Sequence, residues 1–170
     1  MYLPNKTMVE VTKVLVSASD YSANEVLSEN ATTGTAWTFA ACSRAAGLGG
    51  LITKAQIGWG KAGGITAQTN RMTLFLFKAA PTCATNDNVT NTALLHADKS
   101  NYVGRIDFPA LISLGGDSEA IATPSTSGNL PIEFLITTGT SLYGILVTLD
   151  ATSSVTAGAD MTIKLFIEQD

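Results

Sequence analysis

The chain has 170 residues, a net charge of −4 and only 14% charged residues, where globular domains usually carry about 25%. Mean hydropathy is +0.23, yet no apolar run reaches the roughly 18 residues that a membrane helix needs, which argues against a membrane protein. The basic residues are scattered singly, which argues against direct nucleic-acid binding. The length suits one domain over residues 1–170.

The N-terminal segment 1–8 lacks the apolar core of a secretory signal. It contains Tyr2, Leu3 and Pro4, which have no obvious partner nearby in the sequence. We therefore expect residues 1–8 to form an arm that docks on a neighbouring subunit.

Alternation of apolar and polar residues predicts most of the strands. In Leu51–Trp59 this alternation places Leu51 on the inward face and Ile52 on the outward face. In Tyr102–Phe108 it places Tyr102 on the same face as the two apolar residues that end the run. Further strands are predicted at Val9–Ser17, Thr35–Cys42, Asn91–Leu95, Leu130–Ile136 and Met161–Glu168.

Two runs, Met72–Phe77 and Leu142–Leu149, are apolar on both faces. A strand of a two-layer sandwich meets the core with one face only, so its second face needs another cover. Phe75, Phe77 and Tyr143 lie on that second face and are candidate assembly contacts. A neighbouring subunit and a loop of the same chain are the alternative covers.

The fold class predicted from these patterns is all-β. About eight short strands are separated by turns rich in Gly, Pro, Ser and Asn, and no segment has a convincing amphipathic helical face. This arrangement is typical of a jelly-roll-like antiparallel β-sandwich.

Glycines 58, 60 and 63 match the spacing of a dinucleotide-binding loop, but no helical pattern follows them, so we expect no cofactor. His96 is the only histidine and has no nucleophile motif near it. Cys42 and Cys83 are expected to be free thiols, and with one histidine they are too few for a zinc site. The Asn86–Asn88 segment lacks the Gly and the distal Glu of a calcium loop.

Two groups of side chains leave more than one interpretation open. Paired carboxylates of a glycosidase can be drawn from four glutamates, although no pair stands out: Glu10, Glu119, Glu133 and Glu168. Aromatic residues suit either the core, which we favour, or a sugar-binding platform: Trp37, Trp59, Tyr102 and Tyr143. We expect no enzymatic activity.

Three segments, Met72–Thr82, Tyr102–Pro109 and Leu142–Val147, resemble in that order the jelly-roll decoration or cement proteins of tailed-bacteriophage heads. The resemblance covers roughly positions 50 to 170 and consists of strand motifs. It implies a homo-oligomer, often a trimer, that binds the outside of an assembled capsid and tightens contacts between capsomers.

We therefore expect a structural virion protein on the capsid exterior, assembled in the host cytoplasm. Its expected partners are the major capsid protein and further copies of itself, a trimer first and a dimer next. The alternatives are a tail, baseplate or head-fibre component, or a carbohydrate-binding β-sandwich module.

Overall fold

The computed structural model describes residues 5–16, 19–113, 115–124 and 129–170. In these residues no helix is long and apolar enough to cross a membrane, and a short 3₁₀ helix spans His96–Asn101. Eleven strands are present in the same part of the chain: β1 (Asn5–Val14), β2 (Val26–Leu27), β3 (Trp37–Phe39), β4 (Leu48–Gly60), β5 (Met72–Phe77), β6 (Tyr102–Phe108), β7 (Ile112–Ser113), β8 (Ser118–Ala122), β9 (Ile132–Ile136), β10 (Leu142–Thr148) and β11 (Asp160–Gln169).

The strands form two antiparallel sheets. One runs β1-β11-β4-β8-β7, with β9 also paired to β4, and the other runs β2-β10-β5-β6, with β3 also paired to β10. The pairs are nested along the chain: β1 pairs with β11, β2 and β3 with β10, β4 with β8 and β9, and β5 with β6. Successive pairs alternate between the two sheets, which is the topology of a jelly roll and confirms the predicted fold class.

The count of eleven differs from the predicted eight because two strand positions are interrupted. β2 and β3 share one side of β10, β8 and β9 share one side of β4, and β7 is an extra edge strand. With those pairs merged and β7 set aside, eight strand positions remain, as in other jelly rolls.

The core fills the space between the sheets. The inward residues predicted for β11, from Met161 to Ile167, are all buried there, as are Phe134 and Ile136 of β9. Trp37 and Trp59 are also buried in this core, which confirms the core interpretation for both. The Trp37 indole N–H donates a 3.0 Å hydrogen bond to the Leu27 carbonyl, so its one polar atom is satisfied.

The predicted face of Leu51 is wrong. β11 pairs Phe166 with Lys54 but Ile167 with Ile52, so Thr53 is an extra residue in β4. One extra residue reverses the alternation upstream of it. Ile52 is therefore buried in the core, and Leu51 is only partly buried.

The predicted face of Tyr102 is wrong for the same reason. β5 pairs Leu76 with Gly104 but Phe77 with Tyr102, which leaves Val103 as the extra residue of β6. Tyr102 therefore turns to the outer face, where its ring lies 5.6 Å from that of Phe77. It does not join the core residues at the end of β6.

The predicted strand at Asn91–Leu95 is absent from the structure. The Asn91 side chain instead accepts a hydrogen bond from the Ala93 N–H, which is an Asx turn. The Thr35–Cys42 strand is shorter than predicted, because only Trp37–Phe39 pairs with β10.

Candidate assembly surface

The outer face of the β2-β10-β5-β6 sheet is covered by the chain itself. Phe77 is fully buried there with Val26, Cys83, Ile145 and Val147, under residues of the segment 78–101. Of the two covers considered for the two-faced strands, a loop of the same chain is the one present. Phe77 is therefore not available as an assembly contact.

Two buried carboxylates anchor this covering segment. Asp98 accepts hydrogen bonds from the backbone N–H groups of Thr82 and Cys83 and from the Thr82 hydroxyl. Asp87 accepts one from the Tyr21 hydroxyl at 2.9 Å and another from the Ser28 N–H. Because each carboxylate satisfies several buried donors, the cover is held by charge-assisted bonds as well as by apolar contact.

The remaining predicted contacts divide into two groups. Phe75 and Tyr143 pack at the margin of the outer cluster and keep part of their surface exposed, so their role in assembly stays a prediction. Tyr2, Leu3 and Pro4 lie outside the described residues. The rest of the predicted arm, residues 5–8, is not an arm, because it pairs with residues 166–169 in the chain's own sheet.

No part of the chain that the structure describes covers the outer face of the other sheet. We call the outward side chains of β1, β11, β4, β7, β8 and β9 the bare face. It carries large apolar side chains with substantial exposure: Met8, Val14, Ile112, Ile121 and Leu135. Ile112 is 67% exposed and Leu135 55%, so most of each side chain is accessible to a partner.

Charged residues cross the bare face in rows. Lys6 forms a 3.2 Å ion pair with Glu168, and Glu10 forms one of the same length with Lys164. Between these rows the Lys54 ammonium lies 3.9 Å from the centre of the Phe166 ring. Such exposed pairs contribute little to folding.

A polar groove of about 520 Å³ lies on the same face. Its floor is open because a Cβ atom at Gly58 would meet no atom within 4 Å. Four carboxylates and two ammonium groups line it, so its formal charge is negative: Glu10, Asp117, Glu119, Asp160, Lys61 and Lys164. A negative groove favours a basic or hydroxyl-rich ligand over a phosphate backbone.

The glycines of the dinucleotide-like spacing form part of this groove. Gly58 and Gly60 belong to β4, and the Asp117 carboxylate lies directly over Gly60, where a Cβ would be 2.5 Å from Asp117 Cγ. The chain after Gly63 continues as an irregular loop instead of a helix. The residues therefore lack the helix N-terminus on which a pyrophosphate rests.

The other candidate catalytic residues are spread apart or already engaged. His96 is exposed on the 3₁₀ helix, whereas Asp98 is buried and bonded to the covering segment. Glu10 and Glu119 both line the groove, but Glu10 pairs with Lys164 and Glu119 accepts a 2.7 Å bond from Gln56. Within the described ranges no three Asp, Glu, His or Cys side chains are grouped to hold a metal ion.

One ion pair joins the two sheets, between the C-terminal end of β1 and the segment that follows β2. Lys13 points inward from β1, binds Glu29 and the Thr35 carbonyl, and lies 5.4 Å from the centre of the Trp37 ring. Burial lowers the pKa of Lys13, although the ion pair opposes this shift. Partial burial by itself would raise the pKa of Glu29, but hydrogen bonds from Lys13, Thr35 and Ser28 outweigh it and lower the pKa to about 2.

Cys42 and Cys83 are buried in different clusters, Cys42 in the core and Cys83 in the outer cluster, to which it belongs as a residue of the covering segment. Burial raises the pKa of Cys42 to about 12 and that of Cys83 to about 11. Since the thiolate is the reactive form, neither thiol is expected to react readily with an external oxidant.

No protein-family model and no curated protein matches the chain. Among solved structures, it is similar over 99% of its length to 72% of a chain in a heated full particle of Israeli acute paralysis virus, with 12% identity and a TM-score of 0.32. It also aligns with 69% of a chain of a marine algae virus of the order Picornavirales, with 9% identity and a TM-score of 0.24. For sacbrood virus of honeybee the values are 68% of that chain, 14% and 0.23. Similarities this low assign neither a family nor a function.

Proposed function

We propose that this chain is a structural virion protein that decorates the outer surface of a tailed-phage capsid. The observation that carries the proposal is the contrast between the faces of the jelly roll. One outer face is largely covered by the chain's own segment 78–101. The other presents exposed Ile112 and Ile121 beside a negative groove, and exposed Leu135 toward the other end of β4. The three strand segments that resemble head decoration proteins support the same function.

The bare face suits a capsid surface that combines apolar and basic groups. Ile121 lies opposite Gln56, and Ile112 lies opposite Glu119, so both isoleucines border the groove. An apolar centre next to complementary charge is the usual arrangement of a specific interface. Repetition over many capsid sites raises the avidity of a contact that is individually weak.

The proposal is tested by adding purified protein to phage heads that lack it and measuring occupancy by electron microscopy. Ile112→Glu and Ile121→Glu should each reduce occupancy strongly, because each puts a charge into the apolar part of the interface. Leu95→Glu is the matched control, since Leu95 is 37% exposed on the opposite side of the molecule. Unchanged occupancy for both isoleucine variants would contradict the proposal.

A glycan array separates this function from the carbohydrate-binding alternative. Trp37 and Trp59 are buried, so the groove has no indole ring on which a sugar could stack. We expect no saccharide to bind at the groove. Saturable binding of a sugar that Gly58→Arg abolishes, with no binding to heads, would favour the carbohydrate module instead.

A further inference from the structure

β1 is an edge strand. Among the described residues its backbone pairs with β11 on one side, and no strand pairs with its other side. β1 has ten residues, and an edge of this length presents a row of backbone groups that another strand can bind.

Both ends of this edge are limited, which leaves a defined open segment. At the N-terminal end Pro4 has no amide hydrogen and cannot extend a ladder. At the other end Lys13 turns inward to Glu29, and residues of the segment 29–38 lie beside residues 11–16. An inward charge of this kind discourages strand pairing. The open segment is therefore Asn5–Val11, and its central residue is Met8.

The outward side chains of the open segment are complementary to themselves. In sequence they are Lys6, Met8 and Glu10, a cation and an anion on either side of an apolar residue that is 50% exposed. If a second copy pairs antiparallel about Met8, each Lys6 faces Glu10 of the second copy and the two methionines face each other. Directly opposed opposite charges stabilise an antiparallel pair, and opposed like charges destabilise it.

Other registers lack this match. Centring the pair on Val9 places Met8 opposite Glu10 and Lys6 opposite Thr12. Centring it on Thr7 places Lys6 opposite Met8, and centring it on Glu10 opposes two glutamates. The charge pattern and the limits of the open segment, which are independent observations, therefore select the same centre.

The ion pairs between β1 and β11 within each copy would continue across the junction between the two β1 strands. Glu168 already binds Lys6, and Lys164 already binds Glu10. In the Met8-centred pair these become two rows of alternating charge, each running through four side chains from one copy to the other. Between the rows, Met8 continues the line of Phe166 and Lys54 toward the second copy.

We propose that two copies of this chain associate through their β1 edges, antiparallel and centred on Met8, so that the two β1-containing sheets become one continuous sheet. The resemblance to head decoration proteins favours a trimer over a dimer, whereas this edge is self-complementary about a two-fold axis, which makes a dimer. This dimerisation is proposed independently of the capsid function. It is measured on purified protein without particles, so either proposal can fail without the other.

Charge variants test this junction by sedimentation equilibrium. Lys6→Glu alone and Glu10→Lys alone each oppose like charges twice, so the dimer dissociation constant of each should rise at least about tenfold. An equimolar mixture of the two variants restores opposite charges at both positions and should dimerise again. Lys99→Glu, on the 3₁₀ helix of the covering segment, has the same charge change as Lys6→Glu and should dimerise normally.

Crosslinking tests the register. Cys42 and Cys83 are buried, so an introduced cysteine is the accessible thiol. Met8→Cys should form an intermolecular disulfide under mild oxidation, because the two positions face each other. Thr12→Cys is the control on the same face, four residues from the centre, and should crosslink much more slowly. Equal rates for the two variants, a monomeric or trimeric wild type, or failure of the charge-variant mixture to dimerise would overturn the proposal.

Discussion

The outer faces of the two sheets of this jelly roll differ in whether another part of the chain covers them. The five-stranded sheet has apolar side chains on both faces, and the chain's own segment 78–101 covers the outer one. The six-stranded sheet has a polar outer face with isolated large apolar residues, and in the described structure nothing covers it. A strongly apolar outer face therefore marks an internal layer here, whereas the more polar face is the one available to partners.

The largest loss of stability is expected from a substitution on the core-facing side of the six-stranded sheet. Ile163→Asp puts an unpaired charge between the sheets at a residue with 0% exposure. We expect a loss of several kcal/mol, comparable to the whole stability of a domain, so the variant should not fold. Thr12→Asp is the control on the outward face of the neighbouring strand β1. Circular dichroism during heating distinguishes them, and a cooperatively melting Ile163→Asp protein would show that the inward face is assigned wrongly.

Removing the anchor of the covering segment should convert the covered face into a second exposed one. Asp98→Ala leaves the Thr82 and Cys83 N–H groups without their carboxylate, which we expect to cost about 2 to 3 kcal/mol. The measurements are urea denaturation and hydrogen exchange of the segment 78–101. Binding of a hydrophobic dye should rise as Phe77 becomes accessible, and unchanged exchange would contradict the anchoring role.

Two glycines of β4 provide a matched pair on the bare sheet. A Cβ at Gly49 would lie 2.0 Å from the Phe134 carbonyl oxygen, so Gly49→Ala should destabilise the fold by about 1 to 3 kcal/mol. At Gly58 the added Cβ meets no atom within 4 Å, and Gly58→Ala should stabilise the strand by about 0.5 kcal/mol. Midpoints of urea denaturation measure both. An equal loss in the two variants would mean that the groove floor is not open.

The smallest effect concerns pH at the join between the two sheets. Because the folded-state pKa of Glu29 is about 2 and its ordinary value is 4.5, its stabilisation is complete above pH 4.5 and is lost as pH falls toward 2. The Glu29 side chain is 32% exposed, so we expect only about 1 kcal/mol. Glu29→Gln should flatten the dependence of unfolding free energy on pH in that window. Asp150→Asn, at a more exposed ion pair, should flatten it less.

Alternation was sufficient to predict the fold class and most inward faces. Alternation predicted the inward faces of β11 and β9 correctly, because neither strand contains an extra residue. It predicted the wrong faces for Leu51 and Tyr102, because a single extra residue in each of their strands shifts the pairing. Such an insertion leaves no local signal, because a bulged residue looks like any other strand residue. Strand periodicity identified these faces without information about distant contacts.

The candidate surface was harder to predict because it depends on contacts between distant segments. The apolar second face of β5 suggested a partner, but the segment that covers Phe77 is irregular and is anchored by single carboxylates that resemble ordinary turn residues. The bare face could not be recognised from the sequence, because alternation identifies outward residues but does not show which outward face stays uncovered. The matching charges of Lys6 and Glu10 were visible in the sequence, but only the sheet order shows that they lie on an open edge.

The nesting of the strand pairs also has a consequence for synthesis on the ribosome. The span between β5 and β6, residues 78–101, is the shortest among the nested pairs, whereas the span between β1 and β11 is the longest. Each doubling of the span to be closed adds about 0.6 kcal/mol of entropy cost, so the innermost pair is favoured to form first and the outermost last. We therefore expect the β1 edge to reach its final form, and to become able to pair with a second copy, only after β11 has been synthesised.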